Sequence, residues 1–172
     1  MVTFKKEIND SLTLARMIEE DGWVDDNTII VCCSPDYSSI TCQILNHALS
    51  NSNSGELLEQ LYMEMPYPTM NQIWNRESKE YEAFDKYIVN FVASLDKSYK
   101  YLLVDSATLR GKNFTRARQC MNARSLDSKY ASVYLQDDSI FVPDYYVEKF
   151  SKTEDGGIVF QWESPLNKNW DY

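Results

Sequence analysis

Apolar positions along this chain follow two rhythms, one helical and one extended, and the two alternate. Ile8, Leu12, Ala15 and Ile18 recur at the spacing of one helical face, which the Asp21-Gly22 pair stops. "NTIIVCC" is a short β-branched run bounded by turn formers and reads as a buried strand. "SPDYSS" is loop chemistry, and Ile40, Ile44, Leu45 and Leu49 mark a second helix. "SNSNSG" breaks the chain, "LLEQLYMEM" suits helix or strand equally, and "PYPT" is a turn or an extended piece. A third helix is expected over 78–95, where Tyr81, Phe84, Ile88, Phe91, Val92 and Leu95 share one stripe. "YKYLLVDSATLRGKNF" then reads as a strand over 101–105, a tight loop, and a helix over 113–123. "YASVYLQ" is a further strand, "SIFVPDYYVEKF" is partly extended around Pro143, and "GGIVFQWE" is expected to be a last short strand.

Strands alternating with helices predict an α/β domain with a mainly parallel central sheet. In such sheets ligands bind beyond the carboxyl ends of the strands. Two loops therefore matter most, 34–39 and 105–113, each following an apolar strand and opening a helix.

Composition narrows the chemistry. The 172 residues suit one domain, and 44% apolar with 13% aromatic residues is an ordinary folded composition. A formal net charge of -9 argues against nucleic acid and anionic membranes as partners. No apolar run is long enough for a membrane span, and the start "MVTFKKEINDSL" lacks the core of a signal peptide, so a cytoplasmic location is expected. Cys32, Cys33, Cys42 and Cys120 include no CxxC pair, and His47 is the single histidine. No metal site is expected, the thiols read as buried and free, and any Ser-His or Cys-His mechanism would rest wholly on His47.

The loop after Asp105 carries the clearest chemistry. A helix N-terminus offers unpaired amides and a positive dipole end to an anion. Thr108, Arg110, Lys112, Asn113 and Thr115 supply donors there, and Gly111 lets backbone approach a ligand closely. Asp105 is placed to accept hydrogen bonds from a sugar diol. Phosphate in the loop and ribose on the carboxylate is the functional reading; a plain βα turn capped by Asp105 is the bland one.

"LLVDSATLRGKNF" resembles the signature of the type I phosphoribosyltransferases, in which an apolar strand and two acids lead through a short loop to a Thr-Gly-x-Thr helix start. "VYLQDDSIFVPDYYVEKF" followed by "GIVFQWE" is similar to the purine branch, the xanthine and hypoxanthine-guanine enzymes, and 10–49 fits their first helix–strand–loop–helix. The resemblance implies one Rossmann-like domain over 1–172, a small C-terminal hood and an atypical helical insertion over about 52–98. It implies Asp105 as the catalytic and ribose-binding acid, with Ser106, Thr108, Arg110, Gly111, Lys112 and Asn113 at ribose and phosphate positions. Ser34, Asp36, Ser38 and Ser39 fall at the pyrophosphate-loop position, and Gln136, Ile158 and Trp162 at the base pocket. Magnesium would accompany phosphoribosyl pyrophosphate.

The departures fall at chemical positions. Ser106 replaces the second acid, and Leu109 stands where purine enzymes carry a proton-handling aspartate. "CSPDYSS" has no lysine or arginine; Asp36 would repel pyrophosphate by about 4 kcal/mol at ~4 Å, and Pro35 removes an amide donor. The resemblance thus implies a divergent protein that binds a 5'-phosphoribosyl group or purine nucleotide, with its transferase chemistry weakened or lost. An active purine-salvage transferase with altered motifs is the alternative. An interaction module is the third reading, with the 78–95 helix as a homodimer or partner surface.

Overall fold

The computed structural model describes residues 2–52, 56–63 and 79–151. Helix α1 (Phe4–Asp21) opens on Thr3, whose hydroxyl accepts from the Lys6 amide at 3.2 Å, and closes on Gly22 in the left-handed region at φ 66°. Its phase differs from the expected one. Glu7, Ser11, Leu14, Ala15 and Ile18 form the buried face, so Ile8 is half-buried and Leu12 is 39% exposed.

Strand β1 (Thr28–Cys32) is buried at every position, as a strand covered on both faces must be. Helix α2 (Pro35–Ser52) begins earlier than its apolar pattern suggests, and the expected 34–39 loop shrinks to Cys33 and Ser34. Pro35 sits at the first helical position, where its missing N–H loses no bond and its fixed φ suits the helix. The ambiguous "LLEQLYMEM" yields β2 (Gln60–Tyr62).

Helix α3 (Lys79–Ser94) matches the 78–95 expectation, and among its described side chains Ile88 and Val92 are buried. Strand β3 (Lys100–Thr108) runs three residues past Asp105, so the following loop is only Leu109 to Gly111 before α4 (Lys112–Ala123). Strands β4 (Asp127–Gln136) and β5 (Tyr145–Phe150) complete the sheet. "GGIVFQWE", with Ile158 and Trp162, lies outside the described residues, as does the hood.

The order is β2-β1-β3-β4-β5, and every pairing among the described strands is parallel. One face packs Leu14 and Ile18 of α1 and Cys42, Leu45 and Leu49 of α2 onto Ile30, Leu102 and Val104. The other packs Ile88 and Val92 of α3 and Phe114, Ala117 and Met121 of α4 onto Ile29, Val31, Tyr101 and Leu103. The strand order reverses between β1 and β3, which is where open α/β sheets form a ligand crevice.

Candidate functional site

Asp105 stands at that reversal. The register of β1 with β3 runs to Cys32 and Val104, and the Cys33 amide still donates to the Val104 carbonyl at 2.9 Å. There the Ser34 hydroxyl donates to Asp105 Oδ2 at 3.1 Å, while the amides of Ser106 and Ala107 also donate to the carboxylate. These bonds favour the charged form, but burial outweighs them and pushes the carboxyl up to about 7.

Ser106 turns to the opposite face of β3. It is 1% exposed, and its hydroxyl donates to Glu7 Oε1 at 3.2 Å. Thr41 donates to the same oxygen at 3.2 Å and lies 3.2 Å from Ser106, and the Ser11 hydroxyl donates to Thr41 at 3.3 Å. This fully buried cluster joins α1, α2 and β3, and Glu7 Oε2 has no hydrogen-bond partner in it. Burial raises the Glu7 carboxyl, against the pull of its two hydroxyl donors. Ser106 therefore ties the strand to α1 instead of facing Asp105's crevice. Sequence reading missed Glu7, Ser11 and Thr41; the available signal was that Glu7 and Ser11 continue the phase of Leu14, Ala15 and Ile18.

No side-chain cap closes the start of α4, where Gly111, at φ 72°, occupies the cap position. Leu109 is 48% exposed, Arg110 is exposed, and Lys112 and Asn113 are half-buried. Thr108 is 4% exposed, and its Oγ1 has no hydrogen-bond partner. Thr115, expected as a donor to phosphate, gives both its amide and its hydroxyl to the Gly111 carbonyl, at 2.9 and 2.8 Å.

Gly111 has the positive φ expected of it, and close packing requires a glycine there as well. A Cβ there would lie 2.5 Å from Phe141 Cβ and 2.6 Å from Ser139 Oγ, and Ile140 donates to the Arg110 carbonyl at 3.3 Å. The chain after β4, not a ligand, makes the close approach, and it covers that side of the turn.

The other candidates divide. Ser38 is fully buried; its hydroxyl caps the Ser34 amide at 3.1 Å and lies 3.2 Å from Cys32 Sγ, so it holds the α2 start together. Ser39 is half-buried on α2, and the backbone of Asp36 is helical there. Gln136 ends β4 at the same edge as Thr108, whose β4 partner is Leu135, and its amide donates to Asp138. His47 is exposed on α2, while Cys32, Cys33 and Cys42 are buried and Cys120 is half-buried, all four unpaired.

Magnesium needs carboxylate ligands or a phosphate already anchored beside one. Of the two adjacent β3 positions only Asp105 is acidic, and among the described residues no group of three or more His, Cys, Asp or Glu side chains could hold a metal. This donor set does not fit a protein-held magnesium.

No family model matches the sequence, and no curated protein matches it. Solved structures do match in shape. A purine phosphoribosyltransferase from Pyrococcus horikoshii superposes with a TM-score of 0.62 at 16% identity, over 95% of this chain and 92% of that one. The Helicobacter pylori xanthine-guanine-hypoxanthine phosphoribosyltransferase gives 0.57 at 15%, over 99% and 95%. A hypothetical protein from Neisseria gonorrhoeae with bound ppGpp gives 0.66 at 12%, over 95% and 88%. The chain has the type I phosphoribosyltransferase fold, and the two transferases named here are purine enzymes.

Proposed function

We propose that this chain binds a purine nucleotide through its 5'-phosphate and ribose and does so without magnesium. The observation that carries the reading is the uncapped start of α4, followed from a strand that sets Asp105 at the β1–β3 reversal. The amides of Lys112 and Asn113 would receive the phosphate, with the charge of Arg110 nearby. Thr108 Oγ1, buried without a partner, is suited to complete that ring of donors. Asp105 would accept from the ribose hydroxyls in place of Ser34. The purine neighbours and the ppGpp-bound neighbour support the ligand class.

Transfer chemistry has less to work with. The helix α2 begins directly at Pro35, its serine at position 38 is engaged in capping, and Leu109 cannot move a proton. One observation favours the transferase as a second reading: a carboxyl poised near 7, like that of Asp105, is suited to proton exchange at neutral pH.

Calorimetry with GMP, IMP, AMP and ppGpp, each with and without magnesium, tests the binding reading; Asp105→Ala should weaken binding roughly tenfold or more. Equal affinity in that variant, or no binding of any of the four, would refute it. Pyrophosphate release from phosphoribosyl pyrophosphate, magnesium and a purine base would establish the second reading instead.

A further inference from the structure

Cys32 ends β1 and Cys33 follows it, so the two side chains leave on opposite faces of the sheet. Cys33 packs with Ile88 of α3 and Phe114 of α4, and its thiol donates to the Val31 carbonyl at 3.6 Å. Cys32 packs on the other face, in the cluster that holds Cys42 and Leu45 of α2. Its sulfur lies 3.2 Å from Ser38 Oγ. Cys42 is one helical turn beyond Ser38 on the same side of α2, and helical side chains lean back over the preceding turn. That lean brings the Cys42 thiol against the Cys32 sulfur, and both residues are fully buried. Neither thiol has a part in the nucleotide reading. Cys32 is nonetheless joined to that site, since the Ser34 amide reaches its sulfur and the Ser34 hydroxyl holds Asp105.

We propose that Cys32 and Cys42 form a reversible dithiol–disulfide pair, oxidised by a hydroperoxide and restored by a small thiol. The two sulfurs have different tasks. Contact with Cys42 lowers the Cys32 thiol from its ordinary value, with help from Ser38 and the Ser34 amide, against burial and the charge of Asp105. Burial pushes Cys42 well up, so it keeps its proton. Cys32 therefore attacks as the thiolate. Its sulfur takes one peroxide oxygen, the O–O bond breaks, and the leaving hydroxide or alkoxide picks up the proton that Cys32 released. Cys32 is then a sulfenic acid. The Cys42 sulfur displaces its oxygen: S–S forms as S–O breaks, and the Cys42 proton leaves with that oxygen as water. The thiols give up the two electrons that reduce the peroxide, and a small thiol reverses the change by exchange, itself ending as a disulfide. Burial shuts out bulky reagents, so a small oxidant is required. The product ties the end of β1 to α2 across the turn that carries Ser34 to Asp105, whether or not a nucleotide binds there.

The test exposes the reduced full chain to hydrogen peroxide, blocks the remaining thiols in guanidinium and maps the cysteines by mass spectrometry. Asp36 is the acid between the two cysteines, so cleavage there should leave two fragments joined until dithiothreitol parts them. Cys33→Ser should keep that link, and Cys32→Ser should lose it. In Cys42→Ser the reaction should stop at the sulfenic acid, and a 1,3-dione added with guanidinium should label Cys32. Peroxide that leaves both thiols free, a link through Cys33 or Cys120 in place of this one, or a Cys32 that takes no dione in Cys42→Ser would each overturn the proposal. The first two outcomes are read on the unaltered chain and need no variant to fold.

Discussion

The Ser34 hydroxyl reaches across the β1–β3 divide to Asp105 Oδ2 at 3.1 Å, tying the residue after β1 to β3 where the strand order reverses. Because Asp105 titrates near 7 in the fold, it holds a proton that the unfolded chain releases near 3.9. Stability from this group is therefore present in acid and declines as pH rises from about 4 to about 7, then stays level. Asp105→Asn removes that decline. Its melting temperature should exceed the wild type's by a margin that grows across this window, reaching on the order of 2–4 °C per kcal/mol gained, and is constant above pH 8. Melts of both proteins at stepped pH measure the margin; one that shrinks with rising pH would show that the carboxylate is the stabilised form.

Glu7 follows the same sign, since burial raises it too. Glu7→Gln keeps the shape and removes the buried charge, so it should match or exceed the wild type at pH 8. Glu7→Ala leaves the Thr41 and Ser106 hydroxyls short of an acceptor beside a cavity and should destabilise by about 2–4 kcal/mol. Urea unfolding distinguishes the two. Equal losses in Gln and Ala would mean the ionised carboxylate is what the cluster requires.

Gly111 and Gly22 make an internally controlled pair, for both have positive φ, at 72° and 66°. At Gly22 nothing lies within 4 Å of an added Cβ, whereas at Gly111 Phe141 and Ser139 are closer than 3 Å. Gly22→Ala should cost about 1–2 kcal/mol for its conformation alone. Gly111→Ala should cost about 1–3 kcal/mol more for the clash, with or without nucleotide present. Equal penalties would mean that the chain after β4 does not hold the turn.

Thiol titration should separate one cysteine from three. Cys32, Cys33 and Cys42 are buried in the sheet core and at α2, while Cys120 is half-buried on α4. One equivalent of an aromatic disulfide reagent should react promptly with the native protein, and all four thiols in guanidinium. Rapid reaction of Cys120→Ser would show that α2 opens readily.

Much of this fold was legible because apolar runs and breakers mark βα units independently of tertiary context. "NTIIVCC" and "YKYLLVD" could be only buried strands, and Asp21-Gly22 only a stop. What escaped was phase and exact starts. Ile8 and Leu12 look like a core stripe, but Leu14, Ala15 and Ile18 fix the rotation of α1, and Glu7 falls on their face although its charge argues against burial. The serines of "SPDYSS" read as a loop until Pro35 is seen at a first helical position with Ser38 reaching back to Ser34. At the candidate site, the sequence placed Asp105 and the α4 start together. It could not reveal that Ser106 points away from the crevice, or that Ser139 and Phe141 close one side of the turn, since both depend on residues far along the chain.

The parallel pairing of the described strands also sets an order of events during synthesis. Thr28 has its β3 partner in Lys100, roughly seventy residues later, and no hairpin can shield β1 in the meantime. At the ribosome's pace of about 5–20 residues per second, the β3-facing edge of "TIIVC" stays unpaired for several seconds, while β2 becomes available to the other edge sooner. Until β3 is made, that unpaired edge is open to pairing with another chain.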